Sequence, residues 1–152
     1  QTNRKVSAMG ETLLGRAAFN LEMAQYSLKK LNDGDERVLN VVGYQLQQAV
    51  ELFIKHFLET ESTGFPFSHD IDTLLDLLEE AETSVVLTDE IRALSGTLTL
   101  WEAKTRYVKD YLASKKSILY ALNAVEDLFI KNGINVEKVK LTPTGAAATK
   151  HS

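Results

Sequence analysis

Apolar side chains return every three or four residues over most of this chain, and strand-like alternation is almost missing, which leaves helices as the main building element. From about Ala8 to Leu31, the residues Leu14, Ala17, Ala18, Leu21, Ala24, Leu28 and Leu31 share one helical face, with Ser7 placed as an N-cap. Asn32 to Asp35 then stop the segment. Asp33 followed by Glu36 has the form of a capping box, predicting a second helix from there to about Glu61. Its packing face is Val42, Leu46, Ala49, Val50, Phe53, Ile54 and Phe57. Gly64 and Pro66, flanked by Phe65 and Phe67, read as a turn pinned to the core by aromatic anchors.

A third helix is expected over Asp70 to Glu82, with Ile71, Leu74, Leu75 and Leu78 at helical spacing. Thr88 is the expected N-cap of a fourth, and Asp89 and Glu90 fall in its first turn, where the helix dipole favours negative charge. Its stripe reads Ile91, Leu94, Leu98, Trp101, Val108 and Leu112. A fifth starts near Ser114, carries Ile118, Leu122, Val125, Leu128 and Phe129, and stops at Asn132-Gly133. Spacing leaves open whether the fourth and fifth are one bent helix. The reading is an all-α, up-and-down antiparallel bundle of four to five helices. Residues 1–7 form an extension, 8–132 the bundle and 133–152 a tail. Within the tail Ile134, Val136, Val139 and Leu141 suit a short extended piece on the bundle or on a second copy.

The 152 residues fit one domain, and 2 prolines and 8 glycines rule out a collagen-like or Pro-rich chain. No cysteine is present, which removes disulfides, zinc-thiolate sites and cysteine nucleophiles together. No two of the three histidines stand at the i,i+4 spacing of ligands on one helix face, so neither a metal nor another cofactor is expected. Phosphate-wrapping GxxxxGK[ST], GxGxxG after a strand and GxSxG are all missing. Residues 1–10 lack an apolar run of the signal-peptide kind and no segment has bilayer-spanning length, so a cytoplasmic protein without membrane contact is expected.

Charge is uneven behind a formal net of −4. Asp70 to Glu90 holds eight acidic residues and no Lys or Arg; Lys104 to Lys116 holds five basic residues against Asp110, with Tyr107 and Tyr111 interleaved. Lys104, Arg106, Tyr107 and Lys109 are therefore the place to look for phosphate contact and base stacking. On the second helix Tyr44, Gln48, Glu51 and Lys55 stand at i, i+4, i+7 and i+11, one narrow face at about 100° per residue. That face is either a solvated stripe with a Glu51–Lys55 pair or one wall of a polar groove. His69-Asp70 enters the third helix, where Asp70 suits the N-terminus and His69 a backbone or capping bond.

Tyr44-Gln45-Leu46-Gln47-Gln48-Ala49-Val50-Glu51-Leu52-Phe53-Ile54-Lys55, then Gly64-Phe65-Pro66-Phe67-Ser68-His69-Asp70 running into Leu74-Leu75, then Arg106-Tyr107, resembles the HEPN family (higher eukaryotes and prokaryotes nucleotide-binding domain) in motif order and separation. The resemblance implies a helical bundle, commonly a homodimer, often paired with a small nucleotidyltransferase in defence or toxin–antitoxin systems. Many members are RNA-cutting toxins whose Arg is followed, after four to six residues, by His. Here the positions that would hold it after Arg106 are Tyr111, Leu112 and Ala113, and no other Arg has a His so placed. Without that imidazole, cleavage loses its usual acid or base. The expectation is a non-catalytic nucleotide- or RNA-binding protein with candidate ligand residues Tyr44, Gln48, Glu51, Lys55, His69, Lys104, Arg106, Tyr107 and Lys109. The alternative is a structural helical dimer or protein-interaction module that presents the acidic Asp70–Glu90 segment to a basic surface.

Overall fold

The computed structural model describes residues 12–29 and 35–136. They form α1 (Leu13–Lys29), α2 (Val38–Glu61), α3 (Ile71–Glu80), α4 (Asp89–Tyr107) and α5 (Lys115–Lys131). The chain is all-helical among these residues, as the periodicity predicts. α2 is the axis of the bundle and packs against all four other helices. Its apolar face from Val42 to Ile54 is buried as expected, whereas Phe57 is only half-buried. Burial of such a side chain contributes about 1.5–3 kcal/mol, and Phe53, tilted against both Phe57 and Phe129 at centroid distances of 5.0 Å, ties α2 to α5. At Gly43, α2 passes close to α4 and α5. A Cβ there would stand 3.2 Å from the Trp101 ring and 3.3 Å from Ile118, so the missing side chain brings the next residue, Tyr44, within reach of α4.

Local signals set most helix ends. Asp70 caps α3, its carboxylate accepting from the N–H groups of Asp72 and Thr73. Thr88 accepts from Ile91 N–H at α4, and Ser114 from Ser117 N–H at α5. At the far end Asn132 clamps the 83–88 connection: Val86 N–H donates to its Oδ1 at 2.7 Å and its Nδ2 donates to Val86 O at 2.9 Å. Gly133, at φ +75°, takes the left-handed conformation that closes the helix. Ile134 and Val136 pack on the bundle.

Four expectations are corrected. α2 begins at Val38 rather than directly after Asp33, because Asp35 and the turn at Glu36-Arg37 precede it, and Arg37 provides no side-chain cap. α4 ends at Tyr107, so it is separate from α5, and Val108 and Leu112 are 48% and 47% exposed instead of continuing the buried stripe. The chain turns there, with Asp110 at φ +68°, and Asn40 of α2 grips the connection by donating to Tyr111 O at 2.7 Å and accepting from Ala113 N–H at 2.9 Å. Phe65 and Phe67 do not anchor the 62–70 turn: Phe67 is fully exposed and Phe65 sits at the surface under the Lys55 ammonium, 5.3 Å from ring centre to Nζ. Finally, His69 makes no capping bond and turns to Glu51 instead. The Ser7 cap, Leu31, the Asp33 half of the capping box, Val139, Leu141 and the end of the tail lie outside the described residues.

Candidate functional site

Glu51 faces inward from the middle of α2 and is buried with Gln47 one turn before it and Lys55 one turn after. Gln47 Nε2 donates to its Oε1 at 2.7 Å and Lys55 Nζ to its Oε2 at 2.8 Å. Gln48 joins through its neighbour, donating to Gln47 Oε1 at 2.8 Å. His69, arriving from the 62–70 turn, places Nδ1 at 3.0 and 3.1 Å from the two Glu51 oxygens. Burial opposes ionisation of Glu51, but the bonds from Lys55, Gln47 and His69 outweigh it and hold the carboxyl below its ordinary value of 4.5. An ionised carboxylate only accepts, so Nδ1 carries the imidazole proton and donates it.

The network continues to α4. His69 Nε2 stands 3.8 Å from Glu102 Oε2, which takes a 2.6 Å charge-assisted bond from Arg106 one turn later. The Arg106 guanidinium makes cation–π contact with two tyrosine rings, 4.5 Å from the centroid of Tyr44 and 4.6 Å from that of Tyr107. It also donates to Glu102 O and to the Tyr107 hydroxyl, each at 2.9 Å. All three nitrogens of Arg106 are thus bonded within the protein, and Tyr107 is 72% exposed. Beside the stack a cleft of about 300 Å³ opens between α1, α2 and α4. A larger one of about 520 Å³ between α1 and α5, walled by Leu21, Phe129 and Ile130, shares no residue with the network.

The structure therefore brings Tyr44, Gln48, Glu51, Lys55, His69, Arg106 and Tyr107 into one connected system. Glu51 and Lys55 are 3% and 6% exposed, which overturns the solvated-stripe reading of that face. Lys104 and Lys109 stand outside the network. Lys104 reaches the Tyr111 ring at 5.8 Å, and Lys109 lies exposed on the connection after α4, not on the helix. Three participants escaped the sequence reading. Gln47 and Glu102 each stand four residues before a charged partner, the spacing of helical neighbours, so an i,i+4 scan outward from Glu51 and Arg106 finds both. Gln45, in the wall of the smaller cleft, carries no such signal.

The described residues thus form a five-helix bundle with a polar core stripe on its second helix and an Arg-Tyr pair at the end of its fourth. The HEPN domain model matches residues 11–131, and the chain belongs to that family. Membership ties it to nucleotide- or RNA-related function. No curated protein and no solved structure matches the chain. None of the described helices is long and apolar enough to cross a membrane.

Proposed function

We propose that this is a non-catalytic HEPN protein that binds a nucleotide or single-stranded RNA at the Tyr44–Arg106–Tyr107 stack, as the accessory or toxin–antitoxin-type partner of a small nucleotidyltransferase. The observation that carries the reading is the guanidinium in contact with two tyrosine rings, of which Tyr107 is open to solvent. A base stacks on the free face of Tyr107, and Lys104 and Lys109 on either side supply charge for phosphates. Arg106 is already compensated by Glu102, so its part is to stiffen the platform. With two lysines meeting phosphates, log K falls against log salt with a slope of about −1.4 for a single strand.

The absence of catalysis is supported by the sequence after Arg106, where Tyr111, Leu112 and Ala113 stand at the positions of the ribonuclease histidine. Partner docking has a separate support in Phe19 and Tyr26, seven residues apart on α1 and each 55% exposed, a pairing that suits a second copy or a partner helix.

Titration calorimetry with ATP, other nucleotides and short RNA tests the function. Binding that weakens in Tyr107→Ala and in Arg106→Ala is expected; no heat with any of these probes overturns it. Cleavage of RNA by the pure protein, lost in Arg106→Ala, overturns the non-catalytic part.

A further inference from the structure

On α4, Ala93, Gly96, Leu100, Ala103 and Tyr107 are all exposed, Leu100 by 53% and Tyr107 by 72%. Their spacing alternates three and four, as at the a and d positions of a coiled-coil heptad. At about 100° per residue they lie opposite Ile91, Leu94, Leu98 and Trp101, the stripe that enters the bundle. α4 thus has two faces fit for packing, and the bundle covers one. A glycine inside a helix costs stability relative to alanine. Gly43 is accounted for by Trp101 and Ile118 beside it, but a Cβ at Gly96 would meet nothing within 4 Å among the described residues outside its own stretch of helix. Nothing within the described chain calls for glycine there. A helix laid on this face from outside would, because small residues at 93, 96 and 103 let two backbones approach to the short end of the usual separation of about 8–10 Å.

Charge decides which helix that is. α4 carries Asp89 and Glu90 in its first turn and Lys104 and Arg106 in its last. A parallel copy of α4 would set acid on acid and base on base, whereas an antiparallel copy crossing at Leu98 sets unlike ends together. In that register Ala93 faces Ala103, each Leu100 seats on Gly96 of the other copy, and Glu90 comes beside Lys104 at both ends of the seam. We propose that α4 pairs antiparallel with α4 of a second copy, and that the paired form is closed to nucleotides. Tyr107 then falls opposite Asp89 of the second copy, so its ring and the Lys104 ammonium, assigned above to base and phosphate, are both engaged. The closure rests on the nucleotide-binding reading above; the pairing does not.

Sedimentation equilibrium of the full chain tests the pairing. The wild type should be a dimer at low salt, with a dissociation constant that rises as the Glu90–Lys104 pairs are screened. Gly96→Glu should be monomeric with an unchanged circular dichroism spectrum, since the new side chain enters open space and replaces a poor helix former. Phe19→Glu on α1 should stay dimeric. Glu90→Lys or Lys104→Glu alone should weaken the dimer about tenfold, and the two together should restore it, as direct contact between unlike ends requires. A monomeric wild type, a dimer that survives Gly96→Glu or dissolves in Phe19→Glu, or a double exchange without rescue overturns the pairing. ATP or short single-stranded RNA should shift the wild type toward monomer and bind Gly96→Glu more tightly than wild type at equal concentration. A ligand that binds and leaves the dimer intact overturns the closure. If neither probe binds either protein, the nucleotide reading and the closure fall together and the pairing stands.

Discussion

Two charge clusters in this bundle use similar parts in opposite surroundings. On one side Glu51 collects Gln47, Lys55 and His69, with Glu51 and Lys55 side chains only 4% and 8% exposed. On the other, Arg92 of α4 reaches Asp76 at 2.9 Å, Glu79 at 2.8 Å and Asp72 at 3.4 Å on α3, all carboxylates more than half exposed. Water screens the second cluster and stabilises its members almost as well in the unfolded chain. The first has given up its water, so each charge depends on its partner being present. Number of contacts is thus a poor guide to worth; burial decides. The Arg92 cluster also answers part of the acidic run at 70–90 from within the chain, which weakens the case that this segment awaits a basic partner surface.

The contrast is broken most directly by Lys55→Met, which keeps the buried stem and deletes the charge. Glu51 is left buried without its strongest partner, and urea unfolding should register a loss of about 3–5 kcal/mol. A loss below about 1 kcal/mol would mean that water reaches Glu51 and that the two clusters do not differ in kind.

Acid titration gives the next largest effect. Glu51 is held below its ordinary value of 4.5 in the fold, so at mildly acidic pH the unfolded chain binds the proton first. Its contribution is therefore complete above about pH 4.5 and is lost as pH falls through the lower folded value. Glu51→Gln should be less stable than wild type at pH 7 and should lose less on acidification, so the two stability curves converge below pH 4.5. Parallel curves would place the carboxyl at its ordinary value.

His69 tests the boundary between the two regimes, since its ring is bonded to a buried carboxylate and yet 60% exposed. His69→Ala should cost about 1 kcal/mol in thermal or urea unfolding, near the value of an ordinary hydrogen bond once solvent screening is allowed for. A cost as large as that of Lys55→Met would make the imidazole an equal partner of the ammonium.

How much of this was legible in the sequence follows from the range over which each feature is decided. The helices and the caps at Asp70, Thr88 and Ser114 depend on neighbours within four residues, and the sequence reading located them. The end of α4 does not. Val108 and Leu112 continue the apolar spacing, and only the grip of Asn40, about seventy residues away, marks the turn that exposes them. Hydrophobicity points Phe65 and Phe67 at the core, but Lys55 covers one and solvent the other. Within the site, Tyr44, Gln48, Glu51 and Lys55 could be grouped because one helix carries them. That Arg106 would enter the Tyr44 ring face, and that His69 would point at Glu51 rather than at a backbone cap, depends on how the helices pack.

Arg92→Met is the smallest predicted effect and the control for the whole comparison. The guanidinium is one-third exposed and its three carboxylate partners remain solvated when it is removed. Its removal should change stability by no more than about 1 kcal/mol. Part of even that is opposed by salt, because exposed pairs weaken as the Debye length shrinks from about 10 Å at 0.1 M to about 3 Å at 1 M. Wild type and Arg92→Met should therefore converge in 1 M sodium chloride, whereas the gap between wild type and Lys55→Met should persist, since salt does not enter the space between Lys55 and Glu51. A gap for Arg92→Met that survives high salt would show that three exposed carboxylates around one guanidinium behave as a buried cluster does, and that surroundings do not separate the two sides of this bundle.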